Sequence, residues 1–283
     1  MVKIKYIGSS GNAYDLNVSG LVSGSRLRTK AANYHTWKYT SSGVARQYGT
    51  RVTQWGKDMA EYSATLYVYG SSEQQRDLLR RLHEDFELDL QNNSPGRIWW
   101  GEWYLDCFVT SSSTAPIVNA GIAANELVIA APYPFWIRPA LRTFTMQAEQ
   151  VQSDFLDYSF DYAYDYTPDT AGTVTWATGS PFASEFFLRI YGAASNPQIS
   201  VNGHVYGVNV SLASGEYLEI DSRAGTVVKV SGANRANVFD YRNKASNLFQ
   251  KMPGGSITVV WSGDFVFDLT LYQERSEPYW SEA

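Results

Sequence analysis

Residues 196–207 read Asn-Pro-Gln-Ile-Ser-Val-Asn-Gly-His-Val-Tyr-Gly, and this stretch decides the fold of the carboxyl half of the chain. Ile199 and Val201 alternate with polar neighbours, as they would in a strand that buries one face. The dipeptide Asn202-Gly203 suits the two left-handed positions of a two-residue hairpin turn. The sequence therefore predicts a β-hairpin here, with a second strand that carries residues 205–212.

The residues after this hairpin predict several more short strands, each bounded by Gly, Ser, Asn or Pro. These strands are expected at residues 215–221, 226–230, 257–261 and 265–271. Many short strands separated by turn residues are typical of a β-sandwich. We therefore expect the last hundred or so residues to form two stacked antiparallel sheets.

Length and composition favour two β-rich domains. A chain of 283 residues exceeds what one core usually serves. Aromatic residues make up 15% of the chain, with 20 Tyr and 9 Trp, which suits sheets and interfaces better than helical bundles. The single cysteine, Cys107, excludes an intramolecular disulfide and is expected to be a small buried apolar group.

The amino half predicts strands interrupted by one helix. Strands are expected near residues 2–7, 14–22, 33–40, 62–69, 97–109 and 124–132. Ser71 and Gln74 form a capping box at the start of the helix. Its predicted buried stripe recurs every four residues at Leu78, Leu82, Phe86 and Leu90. The opposite face carries Arg76, Arg80, Glu84 and Glu87, so we expect the helix to lie on a sheet with its charges in water.

Charge is distributed unevenly along the chain. Residues 1–149 carry a net charge of +2 and residues 150–283 carry −7. Between Asp15 and Asp58 there is no acidic residue, and the basic residues there are Arg26, Arg28, Lys30, Lys38, Arg46, Arg51 and Lys57. Such a run can contact phosphates. Because the whole chain is acidic, the favoured interpretation is a solvated or subunit-facing surface that pairs with acidic groups elsewhere, with Arg26, Arg28 and Lys30 as possible contact residues.

A low-complexity run lies between the two halves. In residues 157–166 the pair Asp-Tyr recurs three times with a spacing of four residues. A calcium site is disfavoured because the run lacks the alternating oxygen ligands and closing Glu of an EF-hand. We interpret residues 149–175 as a connector, an extended arm whose tyrosines pack against the adjoining domain or a neighbouring subunit.

The sequence predicts no catalytic, metal or cofactor site. His35, His83 and His204 lie in unrelated contexts, and no serine elbow, phosphate-binding loop or dinucleotide fingerprint occurs. Glu102 and Asp106 lie among tryptophans, as in a sugar-cleaving cleft. On a regular strand they would be about 13 Å apart, which is too far for a catalytic pair. The N-terminus does not resemble a signal peptide, and the longest apolar stretch is too short to span a membrane.

Three motifs in the carboxyl half occur in the order found in siphovirus distal tail proteins. They are Asn-Pro-x-Ile-x-Val-Asn-Gly from residue 196, Gly-Glu-x-Leu-x-Ile-Asp from residue 215, and Phe-x-x-x-Pro-Gly-Gly from residue 249. An aromatic-proline element, Pro-Tyr-Pro-Phe-Trp at residues 132–136, occupies the place of the family's domain junction. The chain resembles this family over most of its length. The residues carried over as structural are Pro132, Tyr133, Phe135, Trp136, Asn196, Pro197, Asn202, Gly203, Gly215 and Asp221.

The resemblance implies a mainly β protein in two parts. Residues 1–148 would be a ring-forming domain with one packed helix, and residues 176–283 a galectin-like or carbohydrate-module-like β-sandwich. The family's role would make the chain a virion protein of the tail tip, whose hexameric ring joins the tail tube to the baseplate and anchors receptor-binding proteins or fibres. The expected partners are then further copies, the tail tube protein, a tail-tip protein and a receptor-binding protein. Membrane contact and specific nucleic-acid binding are not expected.

One alternative stays open. A β-sandwich with surface tryptophans could be a carbohydrate-binding module that recognises host cell-wall polysaccharide. However, the run from His204 to Asn209 does not have the His-x-Asn-x-Arg spacing of galectins, and Trp261 is not followed by their Glu-x-Arg. Sugar binding is therefore not carried over with the fold.

Overall fold

A computed structural model describes residues 3–17, 24–29, 36–43, 48–114, 122–146 and 172–278. The chain divides into two compact units, one of residues 1–138 and 274–283, the other of residues 139–273. Each unit has its own cluster of buried hydrophobic side chains. The predicted fold class is confirmed, since the chain is mainly β and has one long helix among the described residues.

The first unit is built from antiparallel strands and this helix. Its elements are β1 (Ile4–Ile7), β2 (Ala13–Asp15), β3 (Gly24–Thr29), β4 (Lys38–Ser42), β5 (Arg51–Gly56), β6 (Ala60–Tyr69), α1 (Ser72–Gln91), β7 (Gly96–Trp100), β8 (Trp103–Thr114), β9 (Ile122–Ala131) and the start of β10 (Trp136–Phe144). One run of paired strands is β2-β1-β7-β8 and another is β3-β6-β9-β8. The long strand β8 belongs to both, with a register shift between Val109 and Ser111. Such a bulge bends a strand and lets it change partners.

Helix α1 begins as predicted, but its buried face differs from the predicted stripe. Ser71 and Gln74 form the capping box, with reciprocal hydrogen bonds of 3.3 and 3.0 Å. Leu82 and Phe86 are buried as expected, whereas Leu90 is 45% exposed. Residues four positions apart in an α-helix are offset by about 40° around its axis, because one turn holds 3.6 residues. Over three such steps the offset carries Leu90 away from the buried face.

The buried face of α1 also carries two carboxylates that sequence reasoning missed. Asp85 and Asp89 are 2% and 0% exposed. Asp89 accepts hydrogen bonds from the hydroxyl of Tyr6 and, at 2.7 Å, from the backbone N–H of Ser9. Asp85 accepts one from the hydroxyl of Ser10 at 2.7 Å. These bonds tie the helix to β1 and to the turn after it. A buried carboxylate is stable only when it is paired or hydrogen-bonded.

The second unit is a β-sandwich, as predicted. Its strands are β11 (Gly172–Ala177), β12 (Glu185–Tyr191), β13 (Ala194–Ser195), β14 (Gln198–Val201), β15 (His204–Gly207), β16 (Ser211–Leu212), β17 (Glu216–Asp221), β18 (Thr226–Ser231), β19 (Asn234–Asn237), β20 (Ser256–Trp261) and β21 (Phe267–Arg275). One sheet has the order β21-β12-β17-β18-β19 and the other β11-β20-β14-β15. Their inner faces meet through ring contacts, for example Phe186 with Tyr206 at 5.2 Å and Trp261 with Phe267 at 5.4 Å.

The hairpin predicted around Asn202-Gly203 forms as expected, from β14 and β15. Asn202 and Gly203 have φ angles of 48° and 85°, the left-handed geometry of a tight hairpin turn. The side-chain oxygen of Asn202 also accepts a hydrogen bond of 2.8 Å from the backbone N–H of Thr258, which pins the turn to β20. The second strand is shorter than predicted. It ends at Gly207, because the backbone N–H of Asn209 donates instead to the carbonyl of Tyr241 at 2.7 Å.

The boundaries of the two units differ from the domain boundaries expected from sequence. The division falls between Arg138 and Pro139 rather than after residue 148, and residues 274–283 group with the first unit. Strand β11 begins at Gly172, inside the stretch expected to be a connector. Residues 147–171, which include the Asp-Tyr run, lie outside the described residues. The assignment of a ring-forming domain, a connector and a C-terminal domain stays a prediction.

Candidate interaction surface on the β4–β5 hairpin

Within the described part of the first unit, the β4–β5 hairpin is strongly exposed to solvent. The two strands pair with each other and with no further strand among the described residues. Every residue of β4 and all but the last of β5 are exposed to solvent. An isolated two-stranded hairpin is only marginally stable in water, and its free edges can pair with another chain. The hairpin is therefore a candidate interaction surface.

The hairpin and residues 133–135 contribute two groups of aromatic side chains in ring contact. Tyr39 lies opposite Trp55 with ring centroids 5.7 Å apart, and the two are 62% and 60% exposed. Trp37, just before β4, meets Phe135 edge-on at 5.8 Å, and Phe135 lies 5.1 Å from Tyr133. We call these five residues the aromatic ladder. Exposed aromatic side chains in a contiguous patch are typical of protein interfaces.

Lys57 lies against the base of the aromatic ladder. Its Nζ atom is 5.3 Å from the ring centroid of Trp37 and 4.8 Å from that of Phe135, and it donates to the carbonyl of Pro134 at 3.4 Å. Burial lowers the pKa of Lys57, while the charge of Glu277 opposes that shift. The ammonium group thus combines cation–π contacts with partial loss of hydration.

Beside Lys57 is a cavity of about 160 Å³. Its walls are Thr36, Lys38, Lys57, Asp58, Met59, Ala60, Glu61 and Pro134. Lys38 and Asp58 form an ion pair across it, and both side chains are largely exposed. This volume is below the roughly 300–1,000 Å³ of typical small-molecule and cofactor sites.

The aromatic-proline element predicted from the sequence lies in this region. Tyr133 and Phe135 belong to the aromatic ladder, Pro132 is exposed, and Trp136 is buried at 1% exposure. The sequence analysis missed Trp37, Tyr39 and Trp55. The signal that could have found Trp37 and Tyr39 is their spacing of two residues in a stretch that is otherwise polar.

The predicted basic contact residues lie on or next to β3. Arg26 and Arg28 occupy β3 opposite Tyr67 and Thr65 of β6, and their side chains lie outside the described part of the structure. Lys30 lies entirely outside the described residues. Their role as contacts stays a prediction.

The family-motif positions of the second unit shape its turns. Asn196 and Gly215 have φ angles of 48° and 84°, so both turns use the left-handed region. Asp221 accepts hydrogen bonds from the backbone N–H groups of Arg223 and Ala224 at 2.9 and 3.1 Å. Pro197 precedes β14, where a missing N–H is tolerated. Each of these residues thus helps to shape a turn or the start of a strand. That they are motif residues of the distal tail protein family stays a prediction.

The acidic and histidine candidates have local structural partners. Asp106 pairs with Arg97 at 2.9 Å, and Glu102 lies 3.8 Å from Arg138. His83 bonds Ser112 at 2.7 Å and Asn125 at 2.9 Å, and burial lowers its pKa. His204 bonds the carbonyl of Asn247 at 2.9 Å, and His35 is outside the described residues.

The described residues form neither a metal site nor a membrane-spanning helix. Within that part of the chain, no group of three or more His, Cys, Asp and Glu side chains is arranged to hold a metal ion. None of its helices combines the length and apolar composition needed to span a membrane.

Comparison with known proteins gives structural matches alone. No family model matches the sequence, and no curated protein matches it. Among solved structures, the Dit protein of phage SPP1, described as a paradigm of the hub adsorption apparatus in phages that infect Gram-positive bacteria, has a TM-score of 0.61 and 9% identity. The alignment covers 96% of this chain and 99% of that one.

Two structures of the phage P2 baseplate in its activated conformation give similar matches. The structure with Ca has a TM-score of 0.62 at 10% identity, and the structure with Sr has 0.60 at 11% identity. Each match covers 98% of this chain and 100% of the baseplate chain. The chain therefore has the fold of phage baseplate and hub proteins. In particular, it has the fold of SPP1 Dit, which confirms at the level of fold the resemblance to distal tail proteins.

Proposed function

We propose that the chain is a structural component of a bacteriophage tail tip, located in the virion. The observation that carries this proposal is the end-to-end match to hub and baseplate chains, which covers both units and leaves almost none of either chain unmatched. A shared sandwich alone would be a weak argument, because that architecture serves many functions. A match that extends over both units of this chain is more specific.

In this role six copies form a ring that joins the tail tube to the baseplate. Closed rings need two different, complementary faces on each subunit. The β4–β5 hairpin supplies one face, since it exposes the aromatic ladder and belongs to a segment that has basic but no acidic residues between positions 16 and 57. The acidic remainder of the chain supplies charge of opposite sign.

The partners of this ring are the tail tube protein, a tail-tip protein, and receptor-binding proteins or fibres held by the second unit. The second unit acts as an adaptor and the chain as a non-enzymatic protein without a cofactor. His204 supports this reading, because its ring contacts Asn247 and Ser246 of its own unit instead of standing free in a sugar site. The assignment to a noncontractile, siphovirus tail rests on the sequence resemblance.

Negative-stain electron microscopy of the purified chain, alone and with the tail tube protein of the same phage, tests the proposal. We expect class averages of six-fold rings with a central channel, and stacking of these rings on tube ends when the tube protein is present. Averages that show isolated particles of one copy under both conditions would count against the proposal.

A further inference from the structure

The C-terminal half of helix α1 exposes a surface that is both acidic and apolar. Residues 84–91 contain four acidic residues and no Lys or Arg. Two of the four are the buried carboxylates that bond to β1 and the turn after it, whereas Glu84 and Glu87 are exposed. Leu88 and Leu90 are 42% and 45% exposed. We call Glu84, Glu87, Leu88 and Leu90 the α1 patch.

The stability of the helix itself does not explain the charge of the α1 patch. The carbonyl groups at the end of a helix carry partial negative charge, so acidic side chains in the last turns destabilise it. The last turn of α1 has no basic residue that would offset this charge. Glu84 pairs with Arg80 at 3.0 Å, but both side chains are more than half exposed, and such a pair contributes little. A surface of this kind is better explained by a basic partner.

A groove of about 360 Å³ lies beside the α1 patch, between the helix and β2. Glu84 and Leu88 line it from the helix, and Ala13 and Tyr14 line it from β2. Asp85, which is 2% exposed, also borders it. This volume is within the roughly 300–1,000 Å³ of sites that hold a small molecule, so the groove has room for a large aromatic side chain. Its walls combine apolar and negatively charged groups.

The β4–β5 hairpin exposes the complementary groups. The side chain of Lys38 is 71% exposed, and Arg51 is also exposed. Tyr39 and Trp55 are 62% and 60% exposed. Positive charges and aromatic rings on the hairpin thus match the negative charges and leucines of the α1 patch, and such complementarity selects a partner and its register. Both surfaces are exposed in a single copy, so neither covers the other within one chain.

We propose that the α1 patch and its groove receive the β4–β5 hairpin of a neighbouring copy. The aromatic rings of the hairpin lie against the leucines of the patch and enter the groove, and Lys38 and Arg51 lie beside Glu84 and Glu87. A second copy is the occupant because a closed ring needs two different, complementary surfaces on each subunit, and this chain carries both. The inference rests on the proposed ring and adds to it the second of those surfaces.

Two charge-reversed variants test this contact. The hairpin variant carries Lys38→Glu and Arg51→Glu, and the helix variant carries Glu84→Lys and Glu87→Lys. In each variant alone, the hairpin and the α1 patch have the same sign of charge, so we expect loss of the ring at low salt. The measurement is native mass spectrometry of the separately purified chains.

A mixture of the two variants should assemble again. The acidic hairpin of the first variant then meets the basic helix of the second, and the basic hairpin of the second meets the acidic helix of the first. Because the two variants alternate around a closed ring of six, we expect three copies of each in the ring. One variant is labelled with ¹⁵N so that the copies of each can be counted.

The matched control reverses two exposed carboxylates of the second unit, Asp240→Lys and Asp264→Lys, and should form the ring alone. The melting temperature of each variant should stay near that of the parent chain, because the altered side chains are exposed. If a reversed variant has no melting transition, Glu84→Gln with Glu87→Gln takes its place. This pair removes the charge and keeps the shape, so its ring should be weaker than the parent ring at low salt.

The outcomes separate this inference from the proposed function. The parent chain is measured alongside, alone and with the tail tube protein. A ring formed by either reversed variant alone, a mixture that stays as single copies, or a neutral pair that assembles as tightly as the parent chain overturns the inference. If the parent chain still forms its ring in that case, the proposed function stands; if the parent chain forms no ring, both fail.

Discussion

Tyr39 and Trp55 lie opposite each other across the β4–β5 hairpin, with ring centroids 5.7 Å apart, although each side chain is about 60% exposed. Two large aromatic rings that face water in a contiguous patch are unusual for a surface that stays uncovered. We therefore expect both rings to be covered by a neighbouring copy in the assembly that we propose.

Replacing both Tyr39 and Trp55 by Ser should weaken the ring and leave the fold of the subunit unchanged. Both side chains are exposed, so we expect the free energy of unfolding of the subunit to change by less than about 1 kcal/mol. Loss of the aromatic contact should shift the assembly toward single copies, as measured by sedimentation velocity. The control is Tyr241→Ser, which removes an aromatic side chain of the second unit that is 58% exposed. An unchanged ring in the double variant would exclude the hairpin as an interface.

Replacing Asp89 by Ala should destabilise the first unit. The substitution removes the acceptor of two hydrogen bonds and leaves the Tyr6 hydroxyl and the Ser9 N–H without it. A loss of about 1–3 kcal/mol in the free energy of unfolding is expected for such buried groups, measured by urea denaturation. Glu84→Ala alters an exposed carboxylate of the same helix and should have little effect. Equal effects of the two variants would contradict the described role of Asp89.

Gly96→Ala should disturb the same network by steric means. A Cβ atom at this position would lie 2.2 Å from the hydroxyl oxygen of Tyr6 and 2.5 Å from Oδ2 of Asp89. We expect a lower melting temperature in differential scanning calorimetry, because overpacking a buried site is destabilising. Gly56→Ala has nothing within 4 Å of the added Cβ and is the matched control. A melting temperature equal to that of the parent chain would show that the site can relax.

Stability should depend on pH through Glu216. The hydrogen bond from Lys229, followed by that from the Ala213 N–H, lowers the pKa of Glu216 from 4.5 to about 2. A pKa that is lower in the folded state stabilises the fold above the unfolded value, and this contribution is lost as pH falls from about 4.5 toward 2. Glu216→Gln should therefore be less stable than the parent chain at pH 7 and approach it near pH 2, as followed by thermal unfolding.

Asp240→Asn, which alters an exposed carboxylate of the same unit, is the control for this pH series. Its difference from the parent chain should stay small at every pH. A Glu216→Gln difference that is constant from pH 7 to pH 2 would argue that the ion pair with Lys229 contributes nothing to stability.

Reversing the charge of Arg26 and Arg28 should weaken the ring at low salt and have less effect at high salt. Surface charge contacts are screened beyond about 10 Å at 0.1 M ionic strength. The measurement is the elution volume of the Arg26→Glu, Arg28→Glu variant on a sizing column at two salt concentrations. Arg76→Glu, on the exposed face of α1, is the control. An elution volume unchanged at low salt would remove these two residues from the interface.

Duplex DNA should not be retained by the chain. DNA passing through a ring would be slowed by every phosphate that the ring neutralises. A gel-shift series at physiological salt should therefore show free DNA throughout. Salt-sensitive retention would instead favour a nucleic-acid role for the basic run between Asp15 and Asp58.

The sequence predicted the second unit better than the first. Its turns are easy to recognise in sequence, because Asn and Gly are the residues that adopt left-handed backbone most readily. Asn202, Gly203 and Gly215 have that backbone conformation, and each lies at the end of a strand. In the first unit, the two carboxylates Asp85 and Asp89 lie on the buried face of α1, which periodicity of apolar residues cannot reveal. Their partners come from β1, β2 and the turn between these strands, 71 to 83 positions away in sequence.

The interaction surface was only partly predictable. The aromatic-proline element was found because its five residues are consecutive, and two of them belong to the aromatic ladder. Trp37, Tyr39 and Trp55 were missed because their proximity depends on the pairing of β4 with β5, whose register includes an irregularity between Thr40 and Ser41. Pairing of strands with such a bulge is decided by the tertiary fold and not by local pattern.

The central claim is that copies of this chain close into a ring, and the mass of the assembly in solution tests it most directly. Light scattering coupled to size exclusion should give a mass of about 190 kDa, which is six times the 31.7 kDa of one chain. We expect this mass either for the chain alone or for its mixture with the tail tube protein, after the mass of bound tube protein is subtracted. A mass of one chain at every concentration and in both mixtures would contradict the account.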